Sequence, residues 1–329
     1  MLDPAPIQRR RMTNMPSKVA VVIATYNRPK SLVKVLEALE QQTLTPDIVV
    51  VVDASPTATE SLPEFLSSFT VTYLKSTKGS LPAQKNLAID YLLENWSGDF
   101  VQILDDDTFP KSTFLETLAA FLSANPNAVG ASGFCISESP DFVSSVFLKK
   151  IGIPGIKQKI YSILGLDGLE PGRVVRGGIG IFADPSEPIS RVEWLHGTSM
   201  YRFTLFDHIS YLGSLPGSAL CEDLDFSTKA LEYGQLFSIS EARIEHEMSS
   251  DNRPNWPLHY YRFARNRLFL FQPPNNLKLK LRNYVLTNLF IAAVLLGRGF
   301  VSKKNRDLIQ SAVNIIRGMI DGFRNKEPR

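Results

Sequence analysis

The chain has 329 residues, of which 44% are hydrophobic and 21% charged, a composition that is typical of a folded globular protein and excludes a largely disordered one. A net charge of +3 is too small to indicate nucleic-acid binding by itself, and we expect no nucleic-acid partner. The two cysteines, Cys135 and Cys221, lack the spacing of metal or redox motifs, which favours a reducing, cytoplasmic compartment.

The N-terminal part alternates between strand-like and helix-like segments. Residues 1–17 are rich in Pro and Arg, lack the apolar run of a secretory signal and are interpreted as a flexible leader. Over residues 18–134, β-branched runs such as KVAVVIATYN and DIVVVVDAS alternate with segments such as RPKSLVKVLEALEQQ and SLPAQKNLAIDYLLEN, which have helical spacing. The runs are apolar on both faces, as in buried parallel strands, so this order predicts a doubly wound α/β sheet. For the second helix, the predicted buried face is Leu81, Leu87, Ala88, Tyr91 and Leu92.

The middle of the chain is less regular. Residues 138–190 include the glycine-rich stretch GGIGIF and are interpreted as an insertion or lid. Over residues 191–271, VEWLHGTSMYRFTLF predicts strand, turn and strand, and CEDLDFSTKALEYG predicts a helix that is closed by Gly234. QLFSISEARIEHE then predicts a return to strand.

Residues 272–329 are predicted to be helical and basic. Within them, residues 284–297 are apolar nearly all round, but are shorter than the roughly 20 residues that span a bilayer. Basic residues flank this segment, which indicates contact with an anionic membrane surface. Packing of these helices on the rest of the chain or on a second subunit is the alternative. The last helix is predicted to align Leu308, Ile309, Ala312, Val313, Ile316, Ile320 and Phe323 along one stripe.

Polar side chains follow three of the predicted strands, where ligands bind in open α/β sheets. These side chains are Thr25, Tyr26 and Asn27 after the first strand, Asp53 after the second, and Asp105, Asp106 and Asp107 after a later one. Three adjacent carboxylates repel one another, so a divalent cation that also binds a diphosphate is expected there. The alternative is that this acidic triplet only caps the following helix.

Four further positions are candidates for chemistry. Lys85 lies near the start of a predicted helix, where an anion can bind, although the same pattern is found in ordinary capped helices. Asp223, which follows Glu222 at a helix start, could be a general base or could complement the helix dipole. His246 could bind a metal or be structural, and His196 could contact a phosphate.

These segments resemble the family 2 glycosyltransferases over residues 18 to about 271. The resemblance rests on VVIATYNRP, VVVDAS, KGSLPAQKNLAID, ILDDDTFP, HGTSMYR, CEDLDFSTKALEYG and YYRFARNRLFL, in this order. It implies a GT-A-type, doubly wound and mostly parallel sheet flanked by helices, with a helical C-terminal extension. Residues 18–134 would be the nucleotide-binding half and residues 191–271 the acceptor half.

The resemblance also implies a metal-assisted, inverting sugar transfer from a UDP-, GDP- or dTDP-sugar to a hydroxyl of a saccharide or lipid-linked acceptor. Asp223 would be the catalytic base, and Asp105, Asp107 and His246 would hold Mg²⁺ or Mn²⁺. The residues implied to contact the nucleotide-sugar are Thr25, Tyr26, Asn27, Arg28, Asp53, Lys85, Asp105, Asp106 and Glu222. His196 and Gly197 would lie on the acceptor side. Lys85 stands where the family more often has arginine.

Rival functions have different sequence requirements. A sugar-phosphate nucleotidyltransferase or a dinucleotide-binding dehydrogenase needs a glycine-rich loop after the first strand, and TYNRPKSL contains no glycine. A non-catalytic nucleotide-sugar-binding or scaffolding protein on the same fold remains the alternative, and the acidic triplet and Asp223 argue against it. For the enzyme, we expect a role in cell-envelope polysaccharide synthesis, at the inner face of the membrane.

Overall fold

The computed structural model describes residues 17–56, 68–136, 162–164, 170–215, 219–247, 255–271, 277–301 and 305–324. Nearly all of the predicted leader and much of the predicted insertion therefore lie outside the described residues.

The strands and helices follow the predicted order. The strands are β1 (Val19–Thr25), β2 (Ile48–Asp53), β3 (Thr70–Lys75), β4 (Phe100–Asp105), β5 (Thr108–Pro110), β6 (Ala128–Cys135), β7 (Val174–Val175), β8 (Ile179–Gly180), β9 (Ile189–Val192), β10 (Ser199–Arg202) and β11 (Gln235–His246). The helices are α1 (Pro29–Glu40), α2 (Leu81–Asn95), α3 (Phe114–Ala124), α4 (Glu222–Ala230), α5 (Trp256–Arg267), α6 (Leu281–Val301) and α7 (Asn305–Phe323), with 3₁₀ turns at Phe203–Asp207 and Leu268–Phe271.

One mixed sheet organises the fold, in the order β3-β2-β1-β4-β10-β6-β11-β5, and β9 also pairs with β11. Strands β1 to β4 run parallel, and β11 runs parallel to β6. Strand β10 is antiparallel to β4 and β6, and β5 and β9 are antiparallel to β11. The predicted doubly wound, mostly parallel sheet is thus confirmed.

The sheet separates two apolar cores because successive side chains of a strand point to opposite faces. On β1, Val21 and Ile23 pack on the side of α1 and α3, whereas Val22 packs on the side of α2 and α4. All seven β1 residues are buried, which explains the continuous apolar run.

Helix α2 differs from its predicted buried face. Leu87 is exposed, whereas Gln84 and Lys85, which are polar, are buried. The helix packs partly against apolar residues and partly against polar groups from the strand ends and from α4. A pattern that counts only apolar residues therefore predicts the wrong orientation here.

The C-terminal helices pack into a third apolar core together with α5. Helix α7 presents Ala312, Ile315 and Met319 to this core, while Val313 and Ile320 of the predicted stripe are exposed. The reason lies in a close helix crossing, since a Cβ atom added at Gly318 would lie 2.2 Å from the backbone oxygen of Tyr261. The small residue Gly318 therefore determines which face of α7 packs against α5.

Helix α6 has 21 residues, and its segment Leu281–Phe300 is long and apolar enough to cross a membrane by length and composition. Length and composition do not distinguish a membrane span from the core helix of a soluble protein. Here the helix is tied to its neighbours by Arg267, which is fully buried and donates hydrogen bonds to Asn288 Oδ1 and to the carbonyl of Gly177. The segment therefore packs against the rest of the folded protein.

Candidate active site

The carboxyl ends of β1, β2 and β4 meet at one edge of the sheet, because Thr25 is paired with Asp53 and Ala24 with Asp105. Beside this edge is a cleft of about 230 Å³. Its wall includes six of the sequence-predicted site residues, namely Asp105, His196, Gly197, Glu222, Asp223 and His246. The arrangement brings the acidic strand end and the acidic helix start to the same cavity.

Arg28, Thr25 and His246 bind the second and third carboxylates of the acidic triplet and offset part of its charge. One guanidinium nitrogen of Arg28 donates to Asp106 Oδ1 at 2.8 Å and to Asp107 Oδ2 at 2.6 Å. The Thr25 hydroxyl donates to Asp106 Oδ2 at 2.7 Å, and His246 Nε2 lies 3.3 Å from Asp107 Oδ1. Burial raises the pKa of Asp106, whereas hydrogen bonding to His246 and the charges of His246 and Arg28 outweigh burial and lower the pKa of Asp107.

The helix-capping alternative for the triplet is wrong. Helix α3 begins at Phe114 with Thr113 at its N-cap, well beyond the triplet. The Thr108 hydroxyl instead donates to the carbonyl of Asp105 at 2.8 Å, and Thr108–Pro110 forms strand β5 beside β11. The triplet therefore lies in a tight strand-to-strand turn, and its first residue, Asp105, lines the cleft.

The carboxylates suit a hard divalent cation. Asp105 approaches the backbone closely, since a Cβ atom added at Gly197 would lie 3.2 Å from Asp105 Oδ2. Among the described residues, no group of three or more His, Cys, Asp or Glu side chains is arranged to hold a metal ion by itself. Mg²⁺ is usually bound by one or two carboxylates plus substrate phosphates, so Asp105 and Asp107 fit a cation whose shell a diphosphate completes.

Asp53 is fully buried and bonded by its own protein. Its Oδ1 accepts hydrogen bonds from the amide and hydroxyl of Ser55, and its Oδ2 accepts one from the Tyr73 hydroxyl. Burial raises its pKa, but these hydrogen bonds and the charge of Lys75 lower it to about 2. Asp53 thus shapes the adjoining loop, and in this conformation it offers no exposed oxygen to a nucleoside.

The turn after β1 is held from two sides. Asn27 has a φ of 55°, which is uncommon for a residue other than glycine, and its amide donates to the Ser55 hydroxyl at 2.8 Å. Gln84 donates to the carbonyls of Thr25 and Val52 and so joins the ends of β1 and β2. The side chain of Tyr26, in the same turn, is 51% exposed to solvent.

Lys85 was predicted to contact the nucleotide-sugar, and the structure places it outside the lining of the cleft. Its side chain is 1% exposed, and its ammonium lies 2.7 Å from Glu222 Oε1 and over the ring of Tyr211. Burial lowers the pKa of Lys85, but the nearby Glu222 and Asp105 carboxylates outweigh burial and raise it. The next residue, Asn86, exchanges two hydrogen bonds with the backbone of Tyr211. Helix α2 therefore anchors the segment that leads into α4.

Helix α4 starts from a strained backbone. Ala219 and Cys221 have φ angles of 43° and 73°, a region that alanine and cysteine rarely adopt. Such strain is often found at functional sites. Burial raises the pKa of both Glu222 and Asp223, and the charge of Lys85 opposes that increase. Asp223 is half-buried in the cleft wall.

His196 uses both ring nitrogens within the protein. Its Nε2 lies 2.9 Å from the carbonyl of Gly133, and its Nδ1 accepts from the amide of Thr198 at 3.3 Å. The ring therefore lines the cleft without a free nitrogen for a phosphate. Trp194 and Phe182, which sequence reasoning missed, extend this wall with ring centroids 5.0 Å apart. Only their aromatic character in a strand-to-strand segment could have indicated them.

Comparisons with known proteins give a consistent result. The model of glycosyl transferase family 2 matches residues 20–164. No curated protein sequence matches the chain. Among solved structures, the chain is similar to residues 1–349 of Staphylococcus aureus TarS in complex with UDP-GlcNAc, with 16% identity, a TM-score of 0.51 and coverage of 95% of this chain and 93% of that one.

A second similar structure is the mannosyltransferase PcManGT from Pyrobaculum calidifontis in complex with GDP-Man and Mn²⁺. Its identity is 15% and its TM-score 0.55, with coverage of 95% of this chain and 89% of that one. The chain covers only 44% of a longer TarS structure that it also matches. At these identities the likeness shows the shared GT-A fold.

Proposed function

We propose that the protein is an inverting, metal-assisted hexosyltransferase that uses a UDP-, GDP- or dTDP-sugar, and the match of the glycosyl transferase family 2 model to residues 20–164 supports this proposal. The observation that carries this proposal is the shared cleft, which brings Asp105 at the end of β4 together with Asp223 at the start of α4. Residues 18–271 would form the catalytic domain, and residues 272–329 a helical extension.

The proposed reaction needs a base opposite a leaving group. The Asp223 carboxylate accepts the proton of the acceptor hydroxyl as that oxygen attacks the anomeric carbon. The bond from the anomeric carbon to the diphosphate oxygen breaks on the opposite face, so the configuration inverts. A cation on Asp105 and Asp107, with His246 beside Asp107, would neutralise the charge that develops on the leaving diphosphate.

The remaining site residues are assigned to binding. Residues 25–28, Asp106 and the loop that Asp53 organises would hold the nucleotide. Glu222 lines the cleft, and its buried Oε2 has no hydrogen-bond partner among the described residues, so a sugar hydroxyl that enters the cleft would supply the missing partner. Gly197 and the ring of His196 would lie on the side of a saccharide or lipid-linked acceptor.

A donor screen tests the proposal. UDP-, GDP- and dTDP-sugars should be bound, and one of them transferred or hydrolysed, only when Mg²⁺ or Mn²⁺ is present. The Asp107→Asn variant should lose roughly 10-fold or more of the metal-dependent donor affinity, because it loses a charged metal ligand. Titration calorimetry with and without EDTA provides the measurement. Sugar binding without turnover of any donor would favour the non-catalytic alternative.

The outer faces of the C-terminal helices support peripheral attachment to an anionic membrane. On α7 the outward positions, spaced by three or four residues, are Arg306, Gln310, Val313, Arg317, Ile320 and Arg324. Three arginines and two apolar side chains on one stripe suit a surface of anionic lipid headgroups. On α6, Leu289, Arg298 and Phe300 are also exposed. This placement would put the enzyme at the inner face of the membrane.

Flotation with vesicles tests this attachment. The protein should float with phosphatidylcholine vesicles that contain phosphatidylglycerol, and much less with pure phosphatidylcholine or at high salt. Replacing Arg317 and Arg324 by Gln should lower partitioning roughly 30-fold, because two basic residues contribute about 1 kcal/mol each. Gln at Lys30 and Lys34 on α1 is the matched control. A wild-type protein that stays in the soluble fraction and sediments as a dimer would assign these faces to a second copy.

A further inference from the structure

The pairing of Arg28 with two carboxylates of the acidic triplet has a consequence for metal binding. A single guanidinium nitrogen bridges Asp106 and Asp107, at 2.8 and 2.6 Å, and the Arg28 side chain is 28% exposed. Charge-assisted hydrogen bonds of this length are among the strong ones in proteins. The arginine therefore supplies a positive charge between Asp106 and Asp107 and engages one of the two proposed metal ligands, Asp107.

The backbone fixes Arg28 at this position. It is the N-cap residue of α1, and its carbonyl accepts the amide of Leu32 at 3.0 Å. The preceding Asn27 is held by Ser55 in the uncommon conformation described above. Since β1 and β4 are neighbours, the turn after β1 lies directly against the triplet after β4. The bridge thus results from the fold itself and not from a long flexible reach.

The two proposed metal ligands, Asp105 and Asp107, differ in whether other protein groups already bind their carboxylate oxygens. Asp107 has both carboxylate oxygens engaged, Oδ2 by Arg28 and Oδ1 by His246. The Asp105 carboxylate lines the cleft beside Gly197. A cation that uses both aspartates must therefore compete with Arg28 or His246 for an oxygen of Asp107, and the always-charged Arg28 is the neighbour that a second positive charge repels. Asp106 keeps its hydrogen bond from Thr25.

We propose that Arg28 is the internal counter-cation of the metal-free protein and that a divalent cation displaces it from Asp107. This inference rests on the proposed function, because it takes Asp105 and Asp107 as the metal pair. Arg28 then lowers the affinity for the metal alone, and the displaced guanidinium is free to bind an anion. Metal binding and binding of a diphosphate are consequently coupled, with each favouring the other.

The test measures binding of Mn²⁺ alone, by the loss of the electron paramagnetic resonance signal of free Mn²⁺ on addition of protein. Arg28→Ala should bind Mn²⁺ about 10-fold or more tightly than the wild type, because no charged hydrogen bond has to be broken. Lys34→Ala, which removes one positive charge from the same helix, should change the affinity much less. Arg28→Gln is a second variant in case Arg28→Ala is poorly folded by circular dichroism.

The outcomes separate this inference from the proposed function. If wild type and both Arg28 variants bind Mn²⁺ equally, or the variants bind more weakly, Arg28 does not compete, yet the metal site stands. If only the Arg28 variants bind, the competition is complete and the inference holds. If none of the proteins binds Mn²⁺, the inference is overturned, whereas the metal-assisted part of the proposed function is decided separately by the donor screen, in which a diphosphate completes the shell of the cation.

Discussion

Replacing Asp223 by Asn should abolish most sugar transfer and leave donor binding nearly unchanged. The amide keeps the size and the hydrogen-bonding position of the carboxylate but cannot accept a proton from the acceptor hydroxyl. General base catalysis contributes roughly 10²- to 10⁴-fold, so the turnover number should fall by about that factor. Single-turnover transfer and calorimetric donor binding, measured side by side, check the two halves of this expectation.

Asp225→Asn, in the same helix, is the control for Asp223→Asn. Asp225 is two residues further on, where its carboxylate forms an ion pair with Lys229 at 2.7 Å and does not line the cleft. Asp225→Asn should therefore keep nearly full turnover. Full turnover in Asp223→Asn would remove that residue from the role of base, whatever the stability of the variant.

The pH dependence of the wild type follows from the same assignment. Asp223 must be ionised to accept a proton, and burial, which is the largest influence, raises its pKa. The facing Lys85 lowers this pKa, while Asp105 raises it further. Turnover should therefore decline on the acidic side at a higher pH than an ordinary aspartate would give, and Asp223→Asn should lack that decline. The rate profile of the donor-saturated enzyme measures both.

Much of the fold could be predicted because its determinants are local. The continuous apolar run of β1 marks a strand that is buried on both faces, and the sheet order then places the polar residues that follow Thr25 and Asp105 at one edge. The shared cleft of Asp105 and Asp223 is a consequence of that topology. The positions of these site residues in the fold can thus be predicted from the residue pattern.

The pairing between distant side chains cannot be predicted from the residue pattern. Lys85 and Glu222 are 137 positions apart, and nothing in either local pattern indicates that they form a buried ion pair. The same holds for Arg28, whose local context suits an exposed residue at a helix start. In α7, the burial of Ile315 and Met319 depends on how closely Gly318 lets the helix approach α5. These features depend on distances between elements, which periodicity does not specify.

Lys85→Met should destabilise the protein strongly, because it leaves a buried carboxylate without its partner. Lys85 and Glu222 are 1% and 5% exposed, and removing one member of a buried pair lowers the free energy of unfolding by about 3–5 kcal/mol. The exposed pair of Lys34 and Glu247 has the same 2.7 Å separation. Lys34→Met should lower stability by no more than about 1 kcal/mol, since solvent screens such pairs.

The double variant Lys85→Met/Glu222→Met isolates the charge effect, because it removes both charges and retains apolar volume. It should recover most of the stability lost in Lys85→Met, since isosteric apolar replacement of a buried pair is often neutral. In the single variant, Glu222 loses the positive charge that lowers its pKa, so the folded state binds a proton more tightly than the unfolded state. Burial already raises the pKa of Glu222 to about 7 in the wild type, so the additional deficit of the single variant should grow as pH rises above that value. Urea unfolding at mildly acidic and mildly alkaline pH measures this, and a pH-independent deficit that persists in the double variant would instead indicate lost packing by the lysine stem.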